Sequence, residues 1–360
     1  MGARVCGQDR GEGIISIFAD NLHQLKTTVE AMIAVGRVPI IFLDLDDTLN
    51  RRFGASIEEK AVTSLRRLNE ARGLFGLDLG ADIFWAGQRI LRETDRFFPF
   101  PFMLLATGKH IYAWAESLQA YVRLPIQAEN KGRAMRKLAE YLDIPLSQCI
   151  FIADFPNPGV GQGQEGIDDP VLRECVGIIV NVGLQRRPED IRSDFKETLL
   201  LNPERQGNDW MGVGYEATVQ YLACITEVLK HESHADKVKA LRAKLMRVVE
   251  QKLNLPVLSN SDHQLWTFEH PLQEIESHRP VLIRVKGPGM VHAGVECGGK
   301  WVRIYAIPLK KVSSGVWEAN VQDPEVNTFT FIWYANDRSG DPHWEGKNCL
   351  LQGPQHEERQ

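Results

Sequence analysis

Apolar and polar positions follow two different patterns along this chain. From about residue 38 to 183, short unbroken apolar runs alternate with segments in which apolar residues recur every three or four positions. The runs are VPIIFL (Val38–Leu43), FPFMLLA (Phe100–Ala106), CIFIA (Cys149–Ala153) and VGIIVNV (Val176–Val182). Strands covered on both faces have this character, and helices between them imply a parallel sheet. Ser56 and Glu59 form a capping-box pattern ahead of a helix over 57–72, with Gly73 as its stop. Asn130 can cap a helix from Lys131 to about Asp143, beyond which Pro145 prevents continuation. An earlier helix, about Asp20 to Val35, precedes the first strand. Residues 74–99 are too many for a simple helix-to-strand turn, and their 83–97 portion looks helical, so a small insertion at the sheet's edge or mouth is expected.

After residue 200 the alternation stops. Behind Ser233 and Asp236, the positions Val238, Leu241, Leu245, Val248 and Val249 recur at helical spacing, with Lys and Arg opposite. Residues 257–279 are polar and aperiodic and read as a linker or docking segment. From Val281 to Leu351 the runs VLIRV, MVHAGVE, WVRIYAI, GVWEANV and FTFIWYA are separated by turn formers, as in a small antiparallel sandwich. Five of the eight tryptophans (Trp266, Trp301, Trp317, Trp333, Trp344) fall in this last part, which marks it as different in kind. The expected organisation is an α/β domain over residues 1–228, a helix and linker over 229–279, and a small all-β sandwich over 280–360.

Composition narrows the class. A chain of 360 residues can bury two ordinary cores, and 43% hydrophobic with 25% charged residues excludes disorder as a global description. No apolar run approaches the ~18–20 residues of a membrane-crossing helix. With 42 basic against 47 acidic residues, net charge −5, the chain lacks the basic excess of a nucleic-acid binder. The six cysteines are scattered without a CxxC pair, so neither a zinc site nor a disulfide framework is indicated, and a cytoplasmic location is expected. The opening MGARVCGQDRGEG has no apolar stretch of a secretory signal, and Cys6 stands where a myristoylation signal requires Ser or Thr.

Candidate chemistry concentrates in IIFLDLDDTLN. An apolar run followed by Asp44, Asp46 and Asp47 puts costly charges at the C-terminal end of a buried strand, where ligands bind in parallel α/β sheets. Along extended backbone Asp44 and Asp46 face one way while Leu45 packs the other. Two such carboxylates can divide labour, one as nucleophile or metal ligand and one as general acid and base.

Phe42-Leu43-Asp44-Leu45-Asp46-Asp47-Thr48 resembles the first motif of the haloacid dehalogenase (HAD) superfamily. Three further segments follow in order. FMLLATGKH places Thr107-Gly108 at a strand end, where the family's second motif carries Ser or Thr; taken alone, it is a helix-entry turn. Lys131 in ENKGRAMRKLAEYLDI matches the third motif, and its context resembles that of sugar-phosphatase members. The fourth motif departs from the family pattern: in CIFIADFPNPG, Ala153 replaces the glycine before Asp154. The next acids, Glu165, Asp168 and Asp169, follow an insertion rich in Pro, Gly and Gln. The segment IDDPVLRECVGIIVNVG sets Asp168 at the second acid position, with Asp169 as competitor; a helix-capping acid cluster is the alternative.

The resemblance covers roughly residues 36–185 and implies a Rossmann-like fold and Mg²⁺-dependent phosphoryl transfer through an aspartyl-phosphate. On that basis Asp44 is the nucleophile, Asp46 the general acid and base, and Thr107 and Lys131 hold the phosphoryl oxygens. Thr48 and Gly108 join the substrate site, and Asp44, Asp46, Asp154 and Asp168 form the metal set. An acid at Asp46 favours a phosphatase over a dehalogenase, which has no alcohol leaving group to protonate. Only 23 residues separate Thr107 from Lys131, too few for a large cap, so an open site is expected. It would suit a larger substrate or be covered by the C-terminal domain or a second subunit.

The ending FTFIWYANDRSGDPHWEGKN resembles the last strands of starch-binding carbohydrate modules. That likeness implies glucan contact by Trp344, whose ring suits a pyranose face. Trp317 and Trp333 are expected in the core, Trp301 and Trp344 nearer the surface; a purely structural or self-associating sandwich is the alternative. The function expected is hydrolysis of a phosphate monoester of a sugar or glucan. The alternatives are a non-catalytic carbohydrate- or protein-binding chain on a degenerate fold and an open-site phosphoprotein phosphatase.

Overall fold

The structure is a computed structural model, and it describes residues 10–46, 48–50, 57–80, 82–91, 99–153, 175–180, 197–200, 213–255, 262–272, 276, 279–336, 340–345 and 349–350. Helix α1 (Arg10–Ala34) leads to β1 (Ile40–Leu43), α2 (Glu59–Glu70) and β2 (Leu74–Asp78). A short turn of helix, α3 (Ile83–Ala86), comes before β3 (Phe102–Leu105), β4 (His110–Ala115) and β5 (Ala120–Arg123). Next are α4 (Lys131–Leu142), β6 (Cys149–Ala153), β7 (Val176–Ile179) and β8 (Glu197–Leu200), then α5 (Val213–Lys230) and α6 (Glu232–Leu253). The remaining strands are β9 (Gln264–Trp266), β10 (Val281–Val285), β11 (Gly289–Cys297), β12 (Lys300–Pro308), β13 (Lys310–Ser313), β14 (Val316–Val321), β15 (Thr328–Trp333), β16 (His343–Trp344) and β17 (Cys349–Leu350).

The chain is mixed α/β and divides into two compact units, each assembled from two stretches: Met1–Asp78 with Ala128–Leu245, and Leu79–Gln127 with Met246–Gln360. These units do not follow the boundaries expected from the sequence. The first contains a parallel sheet in the order β2-β1-β6-β7-β8. Every residue of β1, β2 and β6 is buried, which is why these strands read as unbroken apolar runs. Ile40–Leu43 pair in step with Leu74–Leu77 on one side and Cys149–Ile152 on the other. The second neighbour of β1 is therefore Leu74–Asp78, where an insertion was expected. Helix α5 packs against both α1 and α2, and Arg242 of α6 donates to Gly73 O at 2.9 Å, tying down the α2–β2 turn.

Local signals account for both ends of α4. Asn130 Oδ1 accepts from Arg133 N at 2.8 Å, and Asp143 ends α4 in the left-handed region at φ 57°, as the expected helix requires. Ser56 of the capping box expected at α2 lies outside the described residues. Glu58 occupies the N-cap position without a side-chain bond, and its N–H is committed to Leu49 O at 3.1 Å in the loop after β1.

In the second unit, β3, β4 and β5 form an antiparallel meander that continues through β12, β11 and β15 to β16. A second sheet runs β13-β14-β10-β9. Trp266, Ile283, Val285, Val291, Tyr305 and Phe331 belong to one apolar cluster drawn from both sheets. Phe102–Leu105 of the run FPFMLLA pair in antiparallel register with His110–Ala113. Two expectations change here. Residues 264–266 form a strand inside the expected linker. The tryptophan-rich strands do not close on themselves, because Tyr305 and Ala306 of β12 pair with Val122 and Tyr121 of β5. That pairing satisfies backbone groups which a free edge would expose.

Candidate active site

The order β2-β1-β6 makes β1 the strand at which the connection direction reverses, and ligand crevices in open α/β sheets open beyond the C-terminal ends at that point. Asp44 is the first residue past β1. Its own N–H donates to Ile152 O at 3.0 Å, extending the ladder by one position and fixing where the side chain starts. Leu45 and Leu49 are both fully buried, and Leu49 N donates to Leu45 O at 2.9 Å. The loop is therefore anchored by leucines, while Asp44 and Asp46 on either side of Leu45 stay half-buried.

Asp44 Oδ1 accepts from Leu45 N at 2.9 Å and from Lys131 Nζ at 3.2 Å. The two side chains of this ion pair are only 19% and 14% exposed, which sets it apart from the weak ion pairs of an open surface. Lys131 is the first residue of α4, so the Asn130 cap that starts the helix also positions the ammonium. With Oδ1 doubly engaged, Oδ2 of Asp44 is the oxygen left for chemistry. Asp46 Oδ1 accepts from Asn50 Nδ2 at 3.1 Å, which holds the second carboxylate in place. The structure thus brings together Asp44, Asp46 and Lys131 in the first unit.

Asp78 belongs to the same site and was missed by the sequence reading. Leu43 and Leu77 pair in the parallel ladder, so the residues that follow them, Asp44 and Asp78, lie side by side on one face. Asp78 is completely buried, and neither carboxylate oxygen has a hydrogen-bond partner among the described residues. Burial pushes its pKa from an ordinary 3.8 up to about 7; the Lys131 charge opposes the rise, and the neighbouring Asp44 carboxylate adds to it. A signal was present: LFGLD repeats the form of IIFLD, an apolar run ending in an acid.

Thr107 and Gly108 lie in the second unit, in the turn between β3 and β4. Ala106, Thr107 and Gly108 adopt φ 51°, 59° and 91° there, and Thr107 N donates to Leu79 O at 3.2 Å. The position beside Asp44 at the end of β2 is filled by Asp78. Thr48 is fully buried, with its hydroxyl unpartnered among the described residues. Trp344, also in the second unit, is 41% exposed and meets His292 edge-on at 5.9 Å. Asp47, Asp154, Glu165, Asp168 and Asp169 lie outside the described residues.

Asp44 and Asp46 are hard oxygen donors of the type that Mg²⁺ selects, and the orphaned oxygens of Asp78 are groups that a cation or a proton would satisfy. Among the described residues no cluster of three or more His, Cys, Asp or Glu is gathered as a metal site. The chemistry of the donors fits such a cation, with Asp154 and Asp168 outside the described set. No helix among the described residues is long and apolar enough to cross a membrane.

No protein-family model matches the chain, and no curated protein does either. Among solved structures it is similar to a protein from Legionella pneumophila described as a HAD superfamily (subfamily III A) hydrolase. Identity there is 13% over 64% of this chain and 98% of that one, with a TM-score of 0.35. A phosphatase of the haloalkanoate (HAD) superfamily from Bacteroides thetaiotaomicron is 9% identical over 52% and 96% of the two chains, with a TM-score of 0.32. The cobalt-bound deoxy-D-mannose-octulosonate 8-phosphate phosphatase from Haemophilus influenzae is 12% identical over 56% and 98%, with a TM-score of 0.31.

Proposed function

We propose that this chain is a phosphatase of the HAD type that hydrolyses a phosphate monoester at Asp44. The observation that carries this is the Asp44–Lys131 pair, formed between residues 87 apart in sequence at the C-terminal end of the parallel sheet. Lys131 fixes Oδ1 and brings a positive charge to the position where an anionic phosphoryl group must approach a carboxylate. Oδ2 then forms the bond to phosphorus as the bond to the leaving alkoxide breaks. Asp46 donates the proton that the departing alcohol needs and afterwards takes one from the water that cleaves the acyl phosphate, returning Asp44 and free phosphate. Mg²⁺, held by Asp44, a backbone carbonyl near Asp46 and Asp154, with Asp168 or Asp169, would supply charge neutralisation between carboxylate and phosphate.

A sugar phosphate is the proposed substrate class, on the likeness of the Lys131 segment to sugar phosphatases; glucan contact would use Trp344, whose ring is partly exposed. The carboxyl of Asp78, buried beside Asp44 with neither oxygen partnered among the described residues, favours a second reading: ligand binding on this fold without turnover. Release of phosphate from p-nitrophenyl phosphate, sugar phosphates and phosphopeptides, with Mg²⁺ and with chelator, separates the two. Turnover that needs Mg²⁺ and disappears in Asp44→Asn supports the phosphatase. Absence of turnover on every substrate, with retained ligand binding, selects the second reading, and release from phosphopeptides alone moves the substrate class to phosphoproteins.

A further inference from the structure

The second unit carries a cleft of its own, of about 500 Å³. Its walls are the end of β5 and the residues after it, Val122 to Gln127, the C-terminal end of α6 with Leu255, and Trp301–Ile304 of β12. Three cations border it, and they are not equivalent. Arg303 is already neutralised: its guanidinium donates to Asp323 and, at 2.8 Å, to Glu325. Lys252 is an exposed side chain on the rim. The Arg123 guanidinium is half-buried and has no hydrogen-bond or ion-pair partner among the described residues.

A guanidinium partly removed from water ordinarily has an acidic partner, because desolvating an unpaired charge is expensive. The charge of Arg123 is felt by its neighbours, with Asp82 opposing it at His110. Burial is the main cause that holds the His292 imidazole down at about 4, and Arg123 adds to it; His110 is lowered by the same two causes in the same order. Next to this charge the cleft offers ring and aliphatic surface. Trp301 is held by a stacked contact with His292, centroids 5.1 Å apart and planes at 15°, and Val302 is 65% exposed. Leu253 and Leu255 complete the apolar side.

We propose that this cleft binds an organic anion whose carboxylate or phosphate pairs with Arg123 and whose body lies on Trp301 and Val302. The planar five-donor fork of arginine suits either oxyanion, and the ring beside it suits a ligand with one apolar face. The assignment concerns the second unit alone and stands independently of the phosphatase reading.

Calorimetric titration of the full chain with glucose 6-phosphate, gluconate and glucose tests it. At least one of the two anions binds and neutral glucose does not; which anion binds tells a phosphate site from a carboxylate site. Arg123→Gln weakens that binding by about tenfold or more, the scale of a lost charge-assisted bidentate contact, and Trp301→Ala weakens it by a smaller factor. Lys131→Ala leaves it unchanged, and Arg123→Gln leaves hydrolysis of p-nitrophenyl phosphate unchanged. If Arg123→Gln does not fold, Arg123→Lys asks the same question, with a several-fold loss expected. The proposal is overturned if neither anion binds below about 10 mM, if the Arg123 variants bind as well as the parent chain, or if binding is lost in Lys131→Ala.

Discussion

Asp44 and Asp78 stand side by side past the paired residues Leu43 and Leu77 of adjacent parallel strands, and they are treated oppositely by their surroundings. Asp44 holds Lys131 at 3.2 Å; Asp78 is buried with both oxygens unpartnered among the described residues. One lysine thus serves a place with two carboxyls.

The first prediction concerns pH. The pKa of Asp78 rises from 3.8 to about 7 on folding, so the folded state holds a proton that the unfolded state gives up. Stability contributed by the neutral carboxyl is complete below about pH 4 and is lost as pH rises to about 7, a loss on the order of 4 kcal/mol. Asp78→Asn removes the titration. Its melting temperature should exceed that of the parent at pH 8 and approach it at pH 4.5; equal differences at both values would show that the Asp78 carboxyl does not titrate in this way.

Asp44→Asn keeps the shape of the side chain but removes its charge, and with it the bond-forming oxygen. Phosphate release should fall by at least about 10³-fold, the scale seen when a nucleophile is removed. Lys131→Ala should lower turnover by about 10²-fold while leaving α4 in place, because Asn130 rather than Lys131 caps the helix. Single-turnover assays with circular dichroism as a folding control check both.

Asn130→Ala tests the link between local structure and site. Loss of the bond to Arg133 N should cost about 1 kcal/mol in urea unfolding, and the first turn of α4, which carries Lys131, should fray. A larger fall in turnover than in stability is therefore expected.

In the β3–β4 turn, Thr107 is a β-branched residue at φ 59°. Thr107→Asn places there a residue that tolerates the left-handed region, and stability should rise by roughly 0.5–1 kcal/mol. Urea unfolding of the variant against the parent checks this.

In the second unit, Phe331 is fully buried, with its ring stacked on Trp333 at 5.2 Å and 5.5 Å from Trp266. Phe331→Ala opens a cavity between the two sheets and should cost about 3–5 kcal/mol in chemical denaturation. A value near 1 kcal/mol would mean that the cluster collapses around the gap.

The sequence by itself determined the elements whose signals are local. The runs IIFL and CIFIA are strands because both faces must be covered, and Asn130 starts a helix because its side chain reaches the free N–H of Arg133; Asp44 and Asp46 stand out as charges at a strand end, whereas Lys131 is picked out only through the resemblance of its segment to a family motif. Tertiary structure decided which strands are neighbours. LFGLD and FPFMLLA are both short apolar runs, and nothing within either tells a parallel partner of β1 from an antiparallel hairpin strand. Hydrogen-bond pairing between distant segments made that choice, placing Asp78 beside Asp44, Thr107 in a turn, and Tyr305 of the tryptophan-rich region against Val122. An apolar run carries the need to be buried but not the identity of its partner, because that need is non-directional while the ladder that satisfies it is specific.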